Sequence, residues 1–241
     1  MTIEYISPDW PAPRNIRAMS TTRMGGVSHG PWSSLNLGDA CGDAPMAVAA
    51  NRARLRTLLP SDPLWLKQVH GREVFPADNS QVSPTADAAF TDQTNVVLTV
   101  LTADCVPILF CDAKGEQIAV AHAGWRGLSA GVIEATVCAM HSPASALMAW
   151  IGPCIGDSAY EVGEEVREAF MNDDRAAQEA FRPHGSLWLA DLVELTRLRL
   201  SSAGVTQIYG GSWCTHSDSH RFFSYRRDSV TGRMASLLWK T

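Results

Sequence analysis

The 241-residue sequence contains no CxxC pair, no HxH pair, no internal repeat and no tract rich in Pro, Gly and Ser. Each absence excludes something. Without short cysteine spacings, Cys41, Cys105, Cys111, Cys138, Cys154 and Cys214 make neither a zinc knuckle nor a disulfide framework. The first residues, MTIEYISPDWPAPRNIRAMS, lack the basic region and apolar core of a signal peptide, which predicts a cytoplasmic protein with free thiols. The longest apolar stretch, AAFTDQTNVVLTVLTADCVPILF, is cut by polar residues well short of the ~20 needed to cross a bilayer, so no membrane association is expected. Positive charge is not in excess: the net charge is −5, which gives no reason to expect nucleic acid as a partner. No linker divides the chain, so residues 1–241 read as a single domain.

What is present is a well-packed globular composition, 46% hydrophobic and only 19% charged. Residues 21–45 are dense in Gly, Ser, Pro and Asn and read as a long structured loop, the kind that carries function. MAVAANRARLRTLL then has helical spacing, with Asp43 and Pro45 placed to cap its start and Pro60 to follow its end. WLKQVHGREVFPA reads as a strand pair, or a strand running into a turn at His70. NVVLTV and CVPILFCD read as two strands, and QIAVAHA as a third ending in a Gly-bracketed turn. LSAGVIEATVCAM reads as a helix and ALMAWI as another buried strand. EVGEEVREAFM and LADLVELTRLRLSSAG are amphipathic helices, the second stopped by Gly204. The alternating tail after Val205 predicts strands. Interleaved strands and helices make the class α/β or α+β.

Three apolar segments each break at a metal-capable side chain: His70 in WLKQVHG, Cys105 in VLTADCVPILF and His122 in AVAHAGWRG. Strand ends on a rigid sheet are where such folds place their sites. Two imidazoles and a thiolate suit zinc, leaving a fourth position for water or substrate. The spacing is too long for a structural finger. A rival assignment makes Cys105 a nucleophile with His70 or His122 as its base. Asp104, beside Cys105, is placed to orient a ligand or a water.

The blocks STTRMGGVSHGPWSSLNLGDACGDAP, WLKQVHG, TADCVPILF, AHAGWRGLSAG, IGPCIG with EVGEEV, and FFSYRRDSVTGRMAS occur in order from about Arg14 to Trp239. Together they resemble the YfiH family, also called the multicopper polyphenol oxidase or laccase-domain family and, more recently, the purine nucleoside phosphorylase YfiH family. The resemblance implies a single-domain fold of layered sheets and helices like the catalytic domain of cytotoxic necrotizing factor. It implies zinc held by His70, Cys105 and His122. The implied activity is phosphorolysis of adenosine, inosine and methylthioadenosine with phosphate, plus hydrolytic deamination of adenosine.

Arg23, Asn36 and Arg126 stand in the matching Gly-rich blocks and are the candidates to bind substrate or phosphate. Cys154 departs from the small residue that the family carries in IGPCIG and adds a thiol. The oxidase name fails on arithmetic. A type-1 copper plus a three-copper cluster takes about ten imidazoles, and the chain has seven. Copper is thus expected only as an adventitious occupant of the zinc site. Two further classes compete: a Cys-dependent amidase or deamidase acting in peptidoglycan precursor editing, and a non-catalytic zinc-binding protein.

Overall fold

A computed structural model describes residues 2–78, 83–171 and 175–241. The chain opens with β1 (Tyr5–Ile6) and β2 (Ile16–Thr21), winds through a long loop and enters helix α1 (Pro45–Arg56). β3 (Pro63–Leu64), β4 (Val74–Pro76), β5 (Ala88–Thr91), β6 (Val97–Thr102), β7 (Val106–Asp112) and β8 (Ile118–Ala123) follow. Helices α2 (Trp125–Ser129) and α3 (Val132–Ala139) lead to β9 (Leu147–Ile151), β10 (Glu161–Val162) and α4 (Glu164–Met171). The last third supplies β11 (Phe181–His184), β12 (Leu187–Ala190), α5 (Leu192–Ser202), β13 (Gln207–Gly210), α6 (Tyr225–Asp228) and β14 (Met234–Lys240).

These strands make a five-stranded sheet, β1-β2-β14-β6-β3, a six-stranded sheet, β13-β9-β7-β8-β5-β4, and a small sheet, β10-β12-β11. Side-chain alternation explains how the two large sheets are layered. In β7, Val106, Ile108 and Phe110 pack with the residues of α3 and α5, whereas Leu109 and Cys111 face the other way. Leu109 and Cys111 meet Leu98 and Val100 of β6, Leu238 of β14 and Trp150 of β9 in the layer between the sheets. The outer face of the five-stranded sheet, with Val97, Leu237 and Trp239, packs on Leu55 of α1. The central strands are therefore buried on both faces. That is why their sequences are nearly continuous apolar runs rather than alternating ones. The order of layers is helices, six-stranded sheet, five-stranded sheet, helix, a mixed α/β architecture as the composition implied. Among the described residues no helix is long and apolar enough to cross a membrane.

Several local expectations hold. The strands over Val97–Thr102, Val106–Asp112, Ile118–Ala123 and Leu147–Ile151 form, as does the expected helix α5, whose start the structure shows capped by Asp191, accepting from the Glu194 N–H at 2.9 Å. Gly204, at φ +87°, terminates that helix.

Four do not. The helix expected over 128–140 is cut into α2 and α3, because Gly131 adopts φ +92°, a left-handed conformation that ends one helix and starts the next. Asp43 does not cap α1; Ala44 occupies that position, and the Asp43 carboxylate instead accepts from Ser28 and Asn36. Pro45 does stand in the first turn of α1, where its missing N–H costs nothing. The tail forms only β13, α6 and β14, with loops between them. His70 is not at the end of a strand: it lies in an irregular segment, at φ +60°.

Candidate metal centre

The site lies where the chain crosses between the two large sheets. Residues 65–73 carry it from β3, in the five-stranded sheet, to β4, in the six-stranded one. Only Ala103, Asp104 and Cys105 separate β6 from β7, and they make the same crossing. His122, near the end of β8, is on the strand face opposite to Ala121 and Ala123, both of which pack toward the helices. The ligand-capable atoms of His70, Cys105 and His122 consequently gather within 4.8 Å of one another. Cys105 Sγ is 3.8 Å from His70 Nε2, and the two imidazole rings meet edge to face with centroids 4.8 Å apart. Tetrahedral zinc with ordinary Zn–N and Zn–S lengths needs ligand atoms roughly 3.3–3.6 Å apart, so small side-chain movements complete the set. Among the described residues this is the sole cluster of its kind.

Sequence reasoning missed the residue that builds it. Asp87, immediately before β5, is fully buried. Its Oδ1 accepts from the His70 N–H at 2.9 Å and hydrogen-bonds His122 Nδ1 at 2.8 Å. Its Oδ2 accepts from Val69 N–H at 3.1 Å and Gly71 N–H at 2.7 Å. One carboxylate thereby holds the turn that presents His70 and fixes His122 with Nε2 directed to the cluster. Burial alone would raise the carboxyl's pKa, but the bonds from His122, Gly71 and Val69 outweigh it and keep the group ionised. The available signal was an acid set directly against an apolar strand, in TADAAFT.

Gln68 is a second such residue. Its amide donates to Leu101 O at 2.8 Å and accepts from Leu101 N–H at 2.7 Å, tying the crossing segment to β6.

Asp104 serves the walls, not the ligands. Held at φ +97°, it accepts from Thr215 Oγ1 at 2.6 Å and from Arg226 N–H at 2.7 Å. That strained backbone is fixed from a third side by the Ile155 N–H, which donates to the Asp104 carbonyl.

The electrostatics favour a thiolate. Burial pushes the Cys105 thiol up, but the neighbouring imidazoles of His122 and His70 outweigh it and hold the thiol down at about 6. His122 moves the opposite way: burial lowers it, while Cys105 and Asp87 lift it to about 9. A metal entering this site meets a ligand sulfur already charged and must displace a proton from His122. Cys154 is fully buried and its thiol is pushed far up by that burial, so it stays neutral and outside the cluster.

A cavity of about 680 Å³ opens on His70, Cys105 and His122. Its far walls come from Gly38–Cys41 of the long loop, from Trp65–Gln68, from Tyr225 on α6 and from Arg52 and Arg233. The loop over 21–45 therefore does reach the site, as its composition suggested. Of the residues picked from that loop and from α2, none lines the cavity. Asn36 is wholly buried, its amide bonded to Gly38, Asp43 and the Arg233 N–H. Arg23 donates to the Ser33 and Ser219 carbonyls and stacks on Phe223. Arg126 is exposed and stacks on Trp125. Asn36 and Arg23 bond within and around the loop, and neither is among the side chains that line the cavity.

Gly124 tests how tight the ligand packing is. A Cβ there would stand 2.7 Å from His70 Cδ2 and 2.9 Å from Cys105 Sγ, while the backbone conformation itself tolerates alanine. Gly124→Ala is expected to weaken metal binding by the trio about 10–100-fold through displaced side chains, with the unfolding temperature nearly unchanged. Chelator competition beside thermal unfolding checks this; wild-type metal affinity would contradict it.

Residues 17–241 match the family described as multi-copper polyphenol oxidoreductase laccase, and the chain belongs to it. The chain is 51% identical to purine nucleoside phosphorylase YfiH of Escherichia coli K12 over 98% of each chain. It is 52% identical to purine nucleoside phosphorylase PA4543 of Pseudomonas aeruginosa, again over 98% of each. The crystal structure of Neisseria meningitidis protein NMB0706 superposes with a TM-score of 0.95 at 46% identity, covering 98% of both chains. The YfiH resemblance is borne out.

Proposed function

We propose that this chain is a zinc enzyme of purine nucleosides, which phosphorolyses adenosine, inosine and methylthioadenosine and hydrolytically deaminates adenosine. The observation that carries this reading is the His70–Cys105–His122 trio in the wall of a cavity of about 680 Å³, well within the roughly 300–1,000 Å³ range of small-molecule sites. The names carried by the relatives support the reaction class. Two imidazoles and a thiolate are a borderline-soft donor set that fits zinc, and copper is accepted adventitiously. When bound, the metal supplies Lewis acidity to that wall.

The chain's own residues do the rest. Asp87 fixes both histidines, and Gln68 fixes the segment that carries His70. Trp65, backed by the Arg52 guanidinium at 4.1 Å, offers an aromatic plane in the cavity wall for a purine ring. In phosphorolysis the C1′–N9 bond breaks and a C1′–O bond to phosphate forms; the proton lost by the phosphate hydroxyl ends on the purine. Holding both reactants in one enclosure is the main contribution that the protein makes to such an exchange. In deamination water replaces the C6 amino group and ammonia leaves.

One observation favours a second reading. A thiol held near 6 beside an imidazole at 3.8 Å is also the arrangement of a nucleophilic cysteine, which suits an amidase.

The test is incubation of the zinc-loaded protein with adenosine and phosphate, followed by chromatography. Adenine and inosine are expected, and both are expected to vanish in His70→Ala. No purine product from fully loaded protein would overturn the proposal.

A further inference from the structure

The cavity holds charges that the metal trio does not explain. The chain is acidic overall, and several of its arginines are answered by a carboxylate: Arg56 by Asp62, Arg167 by Glu164, Arg182 by Asp157, Arg221 by Asp218. Among the described residues three cations line the cavity, Arg52, Lys67 and Arg233, and Asp39 is the one carboxylate that lines it with them. Asp39 is spent on Arg52, at 3.3 Å. Among the described residues the Lys67 ammonium has neither an ion pair nor a hydrogen bond.

Arg233 is more informative. Its Nη1 donates to the carbonyls of Thr231 and Gly232, both at 3.0 Å, and its backbone N–H donates to Asn36 Oδ1 at 2.9 Å. The guanidinium is thus anchored from one end. Its Nε–Nη2 edge, the two-pronged edge that matches an oxyanion, has no protein partner among the described residues. A half-buried arginine braced by carbonyls and left without a carboxylate is set up for an anion that comes from outside.

We propose that Lys67 and Arg233 form the anion subsite of this cavity and take inorganic phosphate. Lys67 lies on the same sheet-crossing segment as His70, three residues earlier. Arg233 is fixed through Asn36, which also sets the Gly38–Cys41 wall by bonding the Gly38 N–H and carbonyl. Asn36 is then a positioning residue, one step removed from the ligand role that its sequence context suggested. The assignment rests on the phosphorolysis reading for its ligand: one enclosure must hold phosphate and nucleoside together. The cations place the phosphate among their own side chains, leaving the aromatic wall at Trp65 for the base.

The experiment measures binding of inorganic phosphate to the zinc-loaded protein by equilibrium dialysis at fixed ionic strength, alongside the KM for phosphate. Loss of one charge-assisted contact weakens binding about tenfold or more. Lys67→Ala and Arg233→Gln are each expected to weaken phosphate binding and raise its KM by that factor, with the KM for the nucleoside within about twofold of wild type. Arg126→Ala is expected to leave phosphate binding unchanged. Should Arg233→Gln fail to fold, Lys67→Ala, an exposed position, decides alone. Unchanged phosphate affinity in Lys67→Ala overturns the subsite, as does a phosphate effect confined to Arg126→Ala. Weakened dialysis binding in a protein that cleaves no purine nucleoside would sustain the subsite and refute the reaction.

Discussion

Asp87→Ala is expected to reduce zinc affinity about 10–100-fold, the usual cost of losing the partner of a metal-ligating histidine, and to destabilise the fold by about 3–5 kcal/mol. The second figure is a large share of a domain's total stability, about 5–15 kcal/mol, and it has a specific origin. Removing the carboxylate leaves the N–H groups of Val69, His70 and Gly71 and the Nδ1 of His122 facing an empty buried space. Each unsatisfied donor costs about 1–3 kcal/mol, partly recovered if water enters.

Asp87→Asn is the sharper variant, because it fills the same volume. Whichever way its amide turns, the NH2 meets two donors. If it replaces Oδ2, it opposes Val69 and Gly71. If it replaces Oδ1, His122 can accommodate it only by accepting at Nδ1, which puts the ring proton on the nitrogen that the metal needs. Zinc affinity by chelator competition, together with thermal unfolding, measures both effects. A variant that binds zinc as wild type does would show that Asp87 is not what orders the trio.

Cys105→Ser is expected to lose metal and activity together, the activity by at least about a thousand-fold, since the Lewis acidity lost with the metal is worth several kcal/mol. Serine is a poor zinc ligand at neutral pH, and its hydroxyl does not reproduce a sulfur ionised at about 6. Metal content and turnover must be measured on the same preparation. Activity abolished with zinc still stoichiometric would identify Cys105 as a nucleophile and move the chemistry to the amidase class.

The gathering of His70, Cys105 and His122 was legible in the sequence because each one interrupts an apolar run, and a sheet brings such interruptions to a common edge. Cys105 and His122 needed only the two periodicities of β6–β7 and β8. The expected strand end at His70 did not form; what carries His70 is a segment with its N–H groups turned onto Asp87, and no local pattern announces a turn made by a carboxylate 17 residues away. Asn36 and Arg23 are a different case. Both are bound up in holding the loop, and from sequence alone a residue that holds a loop looks the same as one that holds a ligand. The division of LSAGVIEATVCAM into two helices rested on one glycine's sign of φ, which helical spacing does not encode. The layering of two sheets back to back was likewise invisible, since a strand buried between a helix and a sheet reads the same as one buried between two helices.

The crossing at Ala103–Cys105 makes the site a gauge of the distance between two β-layers. His70 and Cys105 sit on the bridges and His122 on one of the layers, so the width of the ligand set depends on how far Trp150, Leu109 and Leu238 hold the sheets apart. A methylene added or removed in that interlayer would reset the ligand spacing without touching a ligand. The spacing of the trio is thus inherited from the hydrophobic core.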